Sequence, residues 1–270
     1  MLCVGLGVTA GALARRWTLR GSGGGSESDG KHEIDRLSES LAFVGGALGI
    51  ILGLLLVSAS QHFDDARVAA RAEAGDAIVL FHAAGPYPAV QRDDVRRSVV
   101  CLMRSTANDD WAAARARDLT GAENTTAWAA RVQAGVEGLL QNTDTRASNH
   151  YFVTESSLNL DRDRQLRQSL GLAEIPASIW LVIAVGIFVF IALLEFHLAS
   201  SPRMRLVAIV AVTLVLVVIV AALDELDHPF SGNFAHVQPQ ALEASLQQLE
   251  NGFPGPIWRP CPVLAASVHD

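Results

Sequence analysis

Residues Leu41–Ser58 read LAFVGGALGIILGLLLVS, eighteen positions without an Asp, Glu, Lys or Arg. As a helix rising 1.5 Å per residue this stretch reaches about 27 Å, close to the ~30 Å hydrocarbon core of a bilayer. Ala177–Leu194 (ASIWLVIAVGIFVFIALL) repeats the pattern, with Pro176 just before it and Trp180 near its boundary, where an amphipathic ring favours the membrane interface. Leu206–Leu223 (LVAIVAVTLVLVVIVAAL) is the third. Its Val and Ile would suggest a buried strand in water, but it is too long for one. In lipid the backbone must satisfy its own hydrogen bonds, which makes it a helix. The fold class expected is an all-α integral membrane protein.

The chain has 270 residues, half of them hydrophobic and only 18% charged. Average soluble domains carry about 25%, and the deficit collects in the three stretches above. Net charge is −7, which offers no basic surface and argues against a nucleic-acid partner. The lipid bilayer is the partner implied. Arg outnumbers Lys twenty to one, a GC-rich bacterial coding bias, so the expected location is a bacterial cell membrane crossed several times. Cys3, Cys101 and Cys261 are odd in number and form no CxxC or Cys/His cluster. Neither a disulfide framework nor structural zinc is expected, and the three read as unrelated small apolar side chains.

Three readings compete for Met1–Ala14 (MLCVGLGVTAGALA). It is apolar but only about 21 Å long as a helix. It could be a fourth span starting upstream of Met1, a short span, or a signal peptide cut after Ala12-Leu13-Ala14. A signal peptide wants its positive charge ahead of the core, whereas Arg15 and Arg16 follow it. A short or truncated first span is therefore favoured. Residues 15–40, which include GSGGGSESDG at 21–30, read as a flexible polar linker. No GxGxxG occurs there, so no phosphate loop is implied.

Between the spans at 41–58 and 177–194 lie 118 residues, 59–176. Phe63, Ala66, Ala70, Ala74, Ala77 and Phe81 step by three or four until Gly85-Pro86 stops the run. Val95, Val99, Leu102 and Met103 mark a second helix; Trp128, Val132, Val136 and Leu139 a third; and about Tyr151 to Leu170 a fourth. A helical extramembrane segment is expected, with thirteen Arg against sixteen acids. The pairs Asp64-Asp65, Asp93-Asp94 and Asp109-Asp110 read as solvated helix faces, because neighbouring side chains on a helix diverge by about 100°. His62, His82 and His150 stand apart, and neither HExxH nor GxSxG occurs. No metal, cofactor or catalytic residue is expected, and so no enzyme.

Past the last span the chain reads Leu226-Asp227-His228-Pro229-Phe230-Ser231-Gly232, physically a helix stop. This resembles the L-D-x-P-F-x-G signature of a bestrophin-like family of bacterial membrane proteins. Three more stretches resemble that family in order. They are Arg71-Ala72-Glu73-Ala74, then Asp110-Trp111 where the family usually shows Glu-Trp, then Arg164 and Arg167 ahead of Ile175-Pro176-Ala177-Ser178-Ile179-Trp180. The similarity covers roughly residues 40 to 250. It implies a homo-oligomer that passes chloride or other small anions, since bestrophins are pentameric anion channels. In animal bestrophins an acidic cluster after Pro-Phe-Gly helps bind calcium. Here Ser231 intervenes and Asn233-Phe234-Ala235 follow without an acid, so the resemblance does not carry a calcium site over. Asp224, Glu225 and Asp227 lie upstream, where they mark a membrane boundary. The rest of 224–270 reads as a tail, poorly ordered and extended over its proline-rich end from Asn251.

Two readings of function stay open: the anion channel, and a non-conducting scaffold or sensor whose helical segment binds a partner. Gly45, Gly49 and Gly53 repeat every four residues, spacing that lets helices approach closely in a bundle core or between subunits. No span carries an ionisable residue at its centre, so ion-coupled transport gains no support. Orientation is open too. Seven Lys/Arg flank the spans on the linker side (Arg15, Arg16, Arg20, Lys31, Arg36, Arg203, Arg205). Five do so on the other (Arg67, Arg71, Arg162, Arg164, Arg167). The positive-inside rule places segment 59–176 outside the cytoplasm, whereas the bestrophin resemblance implies the cytoplasmic side.

Overall fold

The computed structural model describes residues 27–116, 122–141, 146–172, 175–197, 202–232 and 234–264. The short first span expected at 1–14, Cys3, and positions 15–26 of the linker lie outside these residues. The helices are α1 (Glu27–Ala83), α2 (Ala89–Ser105), α3 (Trp111–Ala116), α4 (Glu123–Leu140), α5 (Ala147–Leu172), α6 (Ala177–His197), α7 (Pro202–Asp227) and α8 (Gln240–Gly252). No strand occurs among the described residues. The chain divides into two compact units, 1–60 with 174–227 and 61–173 with 228–270.

Helix α1 starts at Glu27, so the second half of the expected linker is helical. Between 27 and the span the sequence has one glycine, Gly30, and no proline. Nothing there stops a helix from propagating outward once the span has nucleated it.

In the first unit, residues 27–60 of α1 belong with α6 and α7. Its core is thin: Leu48, Leu52 and Ala59, then Ile183, Ile187 and Ile191, then Leu216 and Leu223. Each set steps by four or seven, one stripe per helix. Apolar side chains also point outward, among them Phe43 (77% exposed), Ile50, Leu54, Leu181, Val185, Leu206 and Val218. Surfaces of this kind belong in lipid, and three helices among the described residues are long and apolar enough to cross a membrane.

The second unit is a helical bundle with an ordinary aqueous composition. Residues 61–83 of α1 supply a stripe of small side chains, Ala66, Ala70, Ala74 and Ala77, all buried. They lead to Leu80 and Phe81, and Tyr87 is buried in the turn past Gly85-Pro86. Helix α2 packs chiefly against α4. Val95, Val99, Val100, Leu102 and Met103 meet Trp128, Val132, Val136 and Leu139 in one core, which Val153 and Leu160 of α5 complete.

Two parts of this unit were not expected. Residues Thr106–Asp110 form one π-helical turn that leads directly into α3. The region read as a tail contains α8, whose Leu242 and Leu249 are buried in the core. Residues 253–264 lie against the core through Phe253, Ile257, Trp258, Cys261 and Leu264, and 265–270 lie outside the described residues. Four prolines deprive this end of N–H donors for a ladder of its own, but its backbone finds side-chain partners. Arg97 donates to Pro256 and Pro260, Arg104 to Trp258, and the Leu264 N–H donates to Asn124 Oδ1. Cys101 and Cys261 are joined by a disulfide, which corrects their reading as unrelated apolar side chains. Their separation of 160 residues left no spacing signal.

Candidate functional site

Five of the resemblance residues, Glu73, Asp110, Trp111, Arg164 and Arg167, gather around one buried ion cluster in the second unit. Glu73 projects from α1, Asp110 ends the π-turn, and Arg167 comes from α5; all three are almost fully buried. Arg167 donates Nε to Glu73 Oε2 and Nη2 to Asp110 Oδ2 at 2.7 Å. Gln168 donates to the same Asp110 oxygen at 3.3 Å. The indole of Trp111 lies under the guanidinium, 4.6 Å from its carbon. Asp110 is therefore no solvated acid, and that expectation for Asp109-Asp110 fails. The π-turn re-aims the helix here: its extra residue per turn shifts the side chains out of α-helical register. Asp110 is buried while Asn108 stays exposed.

Electrostatics explain why such a group can be buried at all. Burial pushes the Glu73 carboxyl up, Arg167 pulls against it, and Asp110 adds to the rise. Burial also works against the Arg167 charge, but Glu73 and then Asp110 outweigh it, and the guanidinium sits above its ordinary value. Arg164, also buried, lies within electrostatic reach of Glu73 and donates to Thr126 Oγ1 at 3.2 Å. Two acids and two arginines balance formally. Such a group is costly to break by halves.

The Pro229-Phe230 turn belongs to the same unit. His228 O accepts from the N–H groups of Ser231 and Gly232, and Pro229 O from Val237 at 2.7 Å. The turn presents Phe230 edge-on to Trp111, ring centres 5.7 Å apart. Trp111 Nε1 donates to Val237 O at 3.0 Å. A Cβ on Gly171 would come within 3.2 Å of the Phe230 ring.

The remaining residues are elsewhere. In the first unit, Asp227 at the end of α7 accepts the Ile175 N–H through both oxygens, at 2.9 and 3.2 Å. Pro176 O accepts from Ile179 and Trp180 as α6 begins. A Cβ on Gly45 would fall 2.7 Å from Phe190 Cε2, so Gly45 holds a close approach. Gly49 and Gly53 have nothing within 4 Å. Arg71 stands away from the ion cluster, exposed on the surface of the second unit. No group of three or more His, Cys, Asp or Glu among the described residues is placed to hold a metal ion.

A family model described as the bestrophin-like domain matches residues 12–242. The chain belongs to the bestrophin-like family. Among solved structures it is similar to a bacterial bestrophin homologue from Klebsiella pneumoniae, at 14% identity and a TM-score of 0.69, covering 93% of this chain and 97% of that one. A point variant of such a homologue from the same organism matches at 13% and 0.69, again over 93% and 97%. A membrane protein variant matches at 14% and 0.70, over 93% and 95%. No curated protein matches the chain in sequence. At these identities the likeness establishes the bestrophin fold for this bestrophin-like chain.

Proposed function

We propose that the protein is an oligomeric anion channel of the cell membrane, with spans at 41–58, 177–194 and 206–223. The observation that carries this is the bestrophin fold extending over 93% of the chain, both units included. The open faces at Gly49 and Gly53 suit close packing between copies. Uncharged spans suit a pore in which anions pass apolar walls and helix dipoles. The buried ion cluster acts as the keystone of the second unit rather than as a conduction site.

The second unit lies outside the cytoplasm in this proposal. The Cys101–Cys261 disulfide supports that side, because cytosolic thiols are kept reduced, and so does the seven-to-five excess of positive charge on the linker side. Alkaline phosphatase fused after Asp270 should be active and a fluorescent-protein fusion there dark. The channel itself is tested with purified protein in liposomes, where chloride flux from a ring of several copies is expected. A well-folded monomer or dimer that passes no anion over a range of pH and calcium would overturn it, leaving a scaffold that binds a partner.

A further inference from the structure

An open cleft of about 380 Å³ lies in the second unit between residues 63–71 of α1 and residues 234–241. Its lining includes Arg67, Arg71, His236 and Gln238, with Phe63 and Phe234 as apolar walls. No Asp or Glu lines it. Arg67 and Arg71 lie one helical turn apart on one face, where like charges repel. Neither guanidinium has an ion pair among the described residues. Two unpaired cations side by side form a place of positive potential.

A short relay of hydrogen bonds lies along the opposite wall. Gln240 Nε2 donates to Gln238 Oε1 at 2.8 Å, which turns the other end of the Gln238 amide, its Nε2, toward His236 Nε2 at 3.3 Å. His236 Nδ1 is buried and has no partner. Closed to solvent on that side and held by Gln238 on the other, the ring serves as a wall of the cleft.

We propose that this cleft binds a small oxyanion of the phosphate class, with Arg67 and Arg71 as its forks. Guanidinium groups match phosphate oxygens in pairs, and the cleft lies within the volume range of small-molecule sites. A divalent cation is disfavoured there by the two arginines and by the absence of a carboxylate. The site stands apart from conduction, and binding alone reads it.

The test is titration of the purified full-length protein in detergent with inorganic phosphate, followed by calorimetry and thermal shift. Saturable binding is expected, weakened at least tenfold in the Arg67→Gln/Arg71→Gln double variant. Arg131→Gln, an exposed arginine outside the cleft, should bind as wild type does. Because Arg67 and Arg71 are exposed, the double variant should keep its melting temperature without phosphate. Repeating the titration in phosphatidylglycerol nanodiscs separates the sources. Unchanged affinity means a free anion arriving from water; a loss of tenfold or more that the detergent sample does not show means a lipid phosphate already occupying the cleft. No saturable binding in detergent, or equal binding by the double variant, would overturn the site.

Discussion

The two units of this chain are held together by opposite means. The span helices share a thin stripe of Leu and Ile and turn most of their apolar surface outward; their solvent is the bilayer, and it does much of the holding. The second unit has an aqueous exterior, and its specificity comes from contacts far apart in sequence. Glu73 and Arg167 are 94 residues apart, Asp110 and Arg167 are 57, and the two cysteines 160. In lipid any uncharged apolar helix of sufficient length will insert. In water a bundle needs named partners to fix which helix goes where, and a polar group in its core raises the cost of a wrong arrangement.

That contrast is broken most directly at Arg167. An Arg167→Met variant leaves Glu73 and Asp110 buried beside each other without their shared cation. Breaking one partner of a buried ion group costs about 3–5 kcal/mol, a large share of what holds a typical domain folded. The second unit should lose its cooperative melt and become protease-sensitive, while the span helices still insert. Combining Arg167→Met with Asp110→Asn leaves the one buried acid, Glu73, facing the one buried cation, Arg164, and should recover part of the loss. A single Arg167→Met protein melting like wild type would show that the cluster is ornamental.

The same contrast explains what could be read from sequence. The spans were legible because composition alone decides them: eighteen uncharged residues in a row admit few structures. The α1, α2, α4 and α5 helices of the second unit were legible from apolar spacing, and Gly85-Pro86 ended the first of them as its chemistry requires. The residues of the cluster were named, but only by resemblance. Nothing in Asp109-Asp110 distinguishes the buried acid from its more exposed neighbour, because the distinction is made by a π-turn that ordinary periodicity does not reveal. Helix α8 was missed because Leu242, Leu246 and Leu249 give a short stripe hidden behind a proline-rich end. The tail was misread because its partners, Arg97 and Arg104, look like any solvated arginines until the chain folds.

The disulfide sharpens the comparison at intermediate size. Cys101 is fully buried on α2 and Cys261 lies in the packed end of the chain. Removing a native cross-link over a long loop costs about 2–5 kcal/mol. Reduction, or Cys101→Ser, should lower the melting temperature of the second unit and expose the 253–264 segment to protease. The first unit, with no described cysteine, should respond to reductant only through that loss. Hydrogen exchange resolves the two. If the amides of α6 and α7 exchange faster under reductant while those of α2 and α4 do not, the division of labour between the units is wrong.

The smallest effect is a pH dependence that only the second unit should show. Asp76 of α1 and Asp163 of α5 share a hydrogen bond. Burial first, and Asp163 second, push the Asp76 carboxyl up to about 6, against roughly 4 in an unfolded chain. Between those values the folded protein holds a proton that the unfolded chain has lost, so stability falls as pH rises through that window. The contribution is fully present below about 4 and gone above about 6. Both side chains are only half-buried, and solvent screening limits the effect to about 0.5 kcal/mol. Burial also pushes Glu73 up and tilts stability the same way, so the Asp76 share must be read as a difference. Asp163→Asn keeps a hydrogen-bonding partner for Asp76 and removes the charge. It should flatten the slope of melting temperature between pH 4 and 7 and raise stability slightly at pH 7. A variant whose slope matches wild type would mean that water, and not Asp163, already separates the two carboxyls.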